Sequence, residues 1–405
     1  MFYFKILFFV FVIIKFDLST SQVLTSNDIR KRNQEKIEQL FVTQNKFQFL
    51  LFQLINSEHS NENIIFSPYS VYRLLSLAYY VSNGTTQQKF HDALRIPANQ
   101  DKIDALHGER YDNTLNKRHN KKNYYQLLSA NRIYVPLNSN IDPRVQRLIK
   151  HSLKEVDFRN PEKAAKKINN WIEKQTHEQI KDALKPDQIE NIDLILINAV
   201  YFKGTWENIF DEQSTKPDQE FHMENGEIRS TPMMFQINEF RFRRFKNYEM
   251  LELPYQGNDI SMYILLPSKQ SSVSEVLNSL TIEDLLLSTT QLREKTVEVS
   301  IPKFSIKSDF DLTTTLQRFG FDDVINKPID LSFVRPNYES EIESIIHKAA
   351  ISVDEVGTVA SAVTFALIPR MLPTYFICSR PFIYLIQNKR TKHIFFAGVL
   401  REPQL

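Results

Sequence analysis

Residues Val353–Pro381 read VDEVGTVASAVTFALIPRMLPTYFICSRP. No charge falls between Glu355 and Arg370, in a chain where 24% of residues are charged, so the gap needs a physical cause. Uncharged β-branched runs mark strands buried on both faces, yet the apolar residues here are mostly small. If extended, Thr358, Ala360, Ala362 and Thr364 share one face, and Val359, Ser361, Val363 and Phe365 the other. Such a set enters a sheet without overpacking it. Gly357, Pro369, Arg370 and Pro373 are instead the punctuation of an exposed loop. One segment therefore reads both as a loop and as a latent strand.

Working outward, Leu194–Gly204 (LILINAVYFKG) is almost wholly apolar and long enough to cross a sheet covered on both sides. Asn198 interrupts it. A buried amide left unpaired costs about 1–3 kcal/mol, so polar partners from elsewhere must meet it. Upstream, NIIFSPYSVYRLLSLAYYVSNGTT (63–86) has Ser67 as a natural N-cap, Pro68 at the first helical position, and an inward face of Val71, Leu74, Leu75 and Ala78. Asn83-Gly84 is expected to close this helix with a left-handed residue. Asn83-Gly84-Thr85 also spells an N-glycosylation acceptor, although its place at a helix end gives it a turn role first.

The remaining segments are less distinctive. Apolar residues from Ile37 to Ile55 recur at helical spacing, so residues 29–55 form a helix. Phe240, Phe242 and Phe245 interleave with Arg241, Arg243, Arg244 and Lys246, the pattern of a half-buried strand with a basic outer face. Leu251–Pro267 reads as two strands about a Gly-Asn turn. Residues 297–333 run from strand into a helix capped near Asp309 or Asp311 and closed by Gly320. Ile394–Pro403 ends in a buried strand.

The chain has 405 residues and a formal net charge of +2, which gives no reason to expect nucleic acid or a membrane surface as partner. Lys5, the apolar run Ile6–Ile14 and the small residues Ser19 and Ser21 have the layout of a secretory signal. Residues 1–21 are therefore expected to be a signal peptide, and the mature protein, 22–405, to be secreted and extracellular. Cys378 is the one cysteine, so no internal disulfide forms; beside Phe376 and Ile377 it reads as a small buried apolar residue.

SPYSV, NAVYFKGTWENIF, IPKFSI, IIHKAAISVDEVGTVASA and RPFIYLIQNKRTKHIFFAGVLREP resemble, in wording and order, the serpin family of serine protease inhibitors. The resemblance covers nearly all of residues 29–403. It implies an α+β, single-domain fold with three β-sheets, eight or nine helices and an exposed reactive-centre loop. It also implies a shutter of Ser67, Ser70, Asn198 and His347 beneath the large sheet, and a breach at Trp206 and Lys303 where the loop enters. Glu355, Gly357, Thr358, Ala360, Ser361 and Ala362 then form the hinge, with Glu355 paired to Lys303. Val356 and Val359 stand where inhibitory members often carry acidic residues, and Val363 is bulkier than usual.

Cleavage of the loop by the target, followed by its insertion as a new strand, is the family's known behaviour. The commonest loop length, counted from Gly357, places the scissile bond at Met371–Leu372. The guanidinium of Arg370 suits a trypsin-like pocket with a buried aspartate and places it at Arg370–Met371, the reading adopted here. The basic run Lys117, Arg118, Lys121 and Lys122 lies where some serpins bind sulfated polysaccharides; the plainer account is a solvated loop. No GxSxG, HExxH, GxxxxGK[ST] or CxxC motif is present. The expected protein is a monomeric inhibitor rather than an enzyme, without cofactor or metal, partnered by a serine protease. A non-inhibitory serpin acting as carrier, storage protein or chaperone is the competing reading.

Overall fold

A computed structural model describes residues 26–403 apart from 120–123, 144, 145, 147, 148, 150, 191, 193, 332–338 and 357–372. In chain order its elements begin α1 (Ser26–Glu58), β1 (Ile64–Phe66), α2 (Pro68–Val81), α3 (Gly84–Ala93), α4 (Lys102–His119), β2 (Tyr125–Pro136), β3 (Leu153–Val156), α5 (Pro161–Gln175) and β4 (Ile195–Gly204). They continue with β5 (Lys216–His222), β6 (Ile228–Arg244), β7 (Tyr248–Pro254), β8 (Ile260–Pro267), α6 (Val273–Ser279), α7 (Ile282–Gln291), β9 (Arg293–Pro302) and β10 (Phe304–Asp311). The last are α8 (Thr313–Leu316), β11 (Ile329–Asp330), β12 (Glu339–Ser340), β13 (Ser344–Val353), β14 (Thr374–Ile377), β15 (Phe382–Asn388) and β16 (Ile394–Leu400).

Among the described residues the strands form three sheets. One has five strands in the order β10-β13-β4-β2-β3; one has nine, β1-β16-β15-β8-β7-β6-β9-β14, with β5 on β6; β11 and β12 form the third. The five-stranded sheet positions the site. Ile195, Ile197, Ala199 and Tyr201 of β4 pack under Ala164, Ala165, Ile168 and Ile172 of α5. Leu196, Val200 and Phe202 turn the other way, into cores shared with α2 and the nine-stranded sheet. Burial on both faces is why β4 shows no polar alternation.

Every residue of α2 except Arg73 is buried. Ser67 is its N-cap, with Oγ accepting from the Ser70 amide at 3.3 Å, and Pro68 follows. Its other end corrects the sequence reading. The helix stops at Val81 and Ser82 is extended (φ −80, ψ 161); Gly84 is left-handed (φ +52) as expected, but with Asn83 it opens α3 instead of closing α2. Lys102, twenty residues on, donates Nζ to the carbonyls of Ser82 (2.8 Å) and Tyr80 (3.4 Å). A cation brought from α4 thus replaces the local glycine cap.

A second correction concerns α8. Neither Asp309 nor Asp311 is its N-cap; that position is Leu312, while Asp311 Oδ1 accepts from the Thr313 amide at 3.0 Å. Gly320, at φ +118, lies inside a wide turn, Gln317–Phe321, that follows the helix. Elsewhere Phe240 and Phe242 are buried on β6 as the alternation requires, whereas Phe245 falls past its end. The turn between β7 and β8 carries Gly257 and Asn258 at positive φ.

Candidate functional site at the centre and mouth of the five-stranded sheet

Strand register sets a row of side chains across the sheet. His347 of β13 stands opposite Asn198 of β4, and Asn198 opposite Asn131 of β2. All three share the face turned to the N-terminus of α2, because Leu196 and Val200 flank Asn198 there. Hydrogen bonds then fix the chemistry. The Ser67 amide donates to His347 Nε2 at 3.2 Å, so Nε2 carries no proton and the ring is the Nδ1–H tautomer. Nδ1–H donates to Asn198 Oδ1, and Asn198 Nδ2 donates to Ser70 Oγ (2.5 Å) and to Asn131 Oδ1. Ser70 Oγ also meets Ser129 Oγ at 2.9 Å, and Ser67 Oγ donates to the Phe395 carbonyl at 2.6 Å.

Burial holds His347 neutral, pushing its pKa from 6.5 down to about 3. The rings of Phe66 and Phe310 pack against it. Protonation would place a second donor at Nε2, facing the Ser67 amide. The group orders strands; it is not poised as a base.

The second half of the site is the mouth, where β13 ends. Trp206 stacks on Tyr255 (4.5 Å, 14°) and donates Nε1 to the Asp354 carbonyl at 3.0 Å. The Phe210 amide donates to the Glu355 carbonyl at 3.0 Å. Glu355 itself pairs with Lys303 (2.8 Å) and accepts from Thr215 Oγ1 (2.7 Å). At 3% exposure Glu355 is buried, while Lys303 is half-buried, so the pair is open to solvent on the lysine side only. Burial pushes the Glu355 carboxyl up, but hydrogen bonds from Lys303 and Thr215 outweigh it and leave it below the usual range.

The structure brings Ser67, Ser70, Asn198 and His347 together at the centre, and Trp206, Lys303 and Glu355 at the mouth. Gly357, Thr358, Ala360, Ser361, Ala362, Arg370, Met371 and Leu372 lie outside the described residues, as do residues 1–21. Lys117 and Arg118 fall in the last turns of α4, but their side chains lie outside the described residues, like Lys121 and Lys122. Asn83 is exposed, with its amide on the Asp330 carbonyl. Sequence reasoning missed Ser129, Asn131 and Thr215. The two-residue spacing of Ser129 and Asn131, which puts both on one face of β2, was the available signal. Cys378 is wholly buried, and burial pushes its thiol pKa up. Among the described residues no group of three or more His, Cys, Asp or Glu is placed to hold a metal ion.

A five-stranded sheet in which β13 and β4 lie side by side and parallel, between antiparallel neighbours, defines a class of protein. The family profile described as serpin (serine protease inhibitor) matches residues 42–403, and the chain belongs to that family. It is 31% identical to human Serpin B3 over 88% of this chain and 98% of that one. It is 32% identical to pig leukocyte elastase inhibitor, over 91% of this chain and 100% of that one. Among solved structures it resembles native protease nexin-1 with heparin (TM-score 0.81, 27% identity, 91% and 100% of the two chains) and uncleaved ovalbumin (TM-score 0.80, 25% identity, 90% and 100%). The single-domain α+β serpin fold follows, in a family whose members similar to this chain include protease inhibitors.

Proposed function

We propose that this chain is a secreted suicide inhibitor of trypsin-like serine proteases. The observation that carries the reading is the seam between β4 and β13. These strands pair in parallel over eight residues, between antiparallel partners on either side. A segment that turns back from the end of β13 runs antiparallel to both, so its insertion replaces one slanted parallel ladder with two antiparallel ones. The small uncharged residues Thr358, Ala360, Ser361 and Ala362 suit that strand.

In the proposed sequence the protease serine attacks the carbonyl of Arg370. An acyl bond forms, Met371 leaves as a free amine, and the freed segment inserts with the protease attached. The Asn198–His347 bond must part as β4 and β13 separate, so the cluster with Ser67 and Ser70 acts as the latch. Lys303 and Glu355 restrain the mouth. Support for inhibition comes from relatives named leukocyte elastase inhibitor and plasminogen activator inhibitor 1. Support for secretion comes from the apolar run behind Lys5, and for glycan attachment from the exposure of Asn83. A polysaccharide site at Lys117, Arg118, Lys121 and Lys122 is supported by the protease nexin-1 structure solved with heparin.

The test is incubation of the secreted form with trypsin and with chymotrypsin, followed by denaturing gels and mass spectrometry. An SDS-resistant complex with trypsin and a cut after Arg370 is the expected result. A complex with chymotrypsin and a cut after Met371 keeps the mechanism and moves the target class. Cleavage without complex in both reactions overturns inhibition and leaves a carrier, storage or chaperone serpin.

A further inference from the structure

Helix α5 presents a stripe of lysines to solvent. Its inner face, Ala164, Ala165, Ile168 and Ile172, is buried on the five-stranded sheet. Its outer face carries Lys163, Lys166, Lys167 and Lys174, all exposed, with Asn170 between them. At 3.6 residues per turn these five positions fall within roughly 100° of one another and span about 16 Å along the axis. Lys167 Nζ reaches the Glu155 carbonyl at 3.2 Å, which sets this edge of the stripe over β3, where Lys154 is exposed as well. The acidic residues of the helix, Glu162 and Glu173, border the stripe on the Lys166 edge, roughly 20–40° beyond Lys166 and roughly 80–100° round from Lys163. Nearby ion pairs join Arg159 to Asp157 and Lys181 to Glu178; among the described residues the four lysines form none.

We infer that this stripe is a binding site for a linear sulfated polysaccharide, separate from the basic run at the end of α4. Four ammonium groups in a line, none in a salt bridge among the described residues, match a chain of regularly spaced anions, each contact releasing a counterion. Nucleic acid fits less well. Single strands bind on open aromatic faces, and Trp171, the aromatic residue of α5, already stacks under the Arg132 guanidinium at 3.7 Å. A membrane surface fits less well too, because interfacial helices offer an apolar face, and that of α5 is buried on the sheet. Secretion, as proposed above, favours sulfate over phosphate as the anion. The site itself does not depend on inhibition.

The test is isothermal titration of the full secreted chain with size-fractionated heparin at several salt concentrations. Four neutralised charges give a log-affinity against log-salt slope of about −3, at roughly 0.7–0.9 per charge. Lys166→Ser with Lys174→Ser should halve that slope and weaken binding roughly two- to thirtyfold, with an unchanged melting temperature. Unsulfated hyaluronan should not bind. An isotherm unmoved by the α5 substitutions but abolished by Lys117→Ser with Lys121→Ser overturns the proposal, as does binding of single-stranded DNA or phosphatidylserine vesicles in place of heparin. Repeating the titration with a chain that forms no protease complex separates this result from the inhibitory reading.

Discussion

Replacing Asn198 with alanine is the most direct probe of the seam. The substitution removes one acceptor and two donated hydrogen bonds from a wholly buried site. Ser70 Oγ keeps Ser129 and Asn131, losing one bond of three, and Asn131 Oδ1 keeps Ser70, losing one of two. His347 Nδ1–H loses its only partner among the described residues. One orphaned buried donor together with two lost neutral bonds amounts to about 2–6 kcal/mol, a large share of a domain's stability. The assay is guanidinium unfolding followed by the fluorescence of Trp171 and Trp206, for Asn198→Ala, His347→Phe and the double variant. Because the two side chains share a bond, the double variant should be less damaged than the singles add up to, by about 1–3 kcal/mol. Additivity within about 0.5 kcal/mol would refute the claim that they act as one latch.

Other expectations follow from the same geometry. His347 titrates near 6.5 when unfolded and near 3 when folded, so below pH 6.5 the unfolded chain binds a proton that the native one refuses. Its contribution, roughly 5 kcal/mol at most, is full above pH 6.5 and is lost as pH falls toward 3. His393, also lowered by burial, adds with the same sign. Melting temperatures measured from pH 7 to 4 should therefore fall, and less steeply for His347→Phe. Lys303→Met strips the buried Glu355 carboxylate of its cation and should speed spontaneous loss of inhibitory activity at 37 °C; an unchanged half-life would remove the pair from the restraint. Thr358→Arg would carry an unpaired charge into the sheet at a cost of several kcal/mol, so trypsin should cut the variant without forming a complex. Stoichiometric complex formation would sink the insertion model. Cys378 should resist thiol reagents in the native state and react once the chain unfolds, as a rise in absorbance of a thiol-specific chromophore would report.

Much of the site was legible before the fold. Asn198 announced itself as an amide in an apolar run, and Ser67-Pro68 as a helix start, because burial and capping act on residues close in sequence. Local chemistry misled where the partner came from afar. Asn83-Gly84 has the composition of a helix end, but Lys102 supplies the cap, and no local rule anticipates a cation from the next helix but one.

Composition, period and capping by themselves determined the start of α2, the buried run of β4 and the motifs that carry the family resemblance, since each depends on residues within a few positions of one another. Tertiary structure alone decided that His347, Asn198 and Asn131 fall in one row, that Nε2 of His347 accepts rather than donates, and that Glu355 is buried against Lys303 and Thr215. Strand register sets the first, a backbone amide 280 residues away the second, and packing at the end of β13 the third. The lysine stripe of α5 was written in the sequence as a period; only the burial of the opposite face showed which side of the helix was left to solvent.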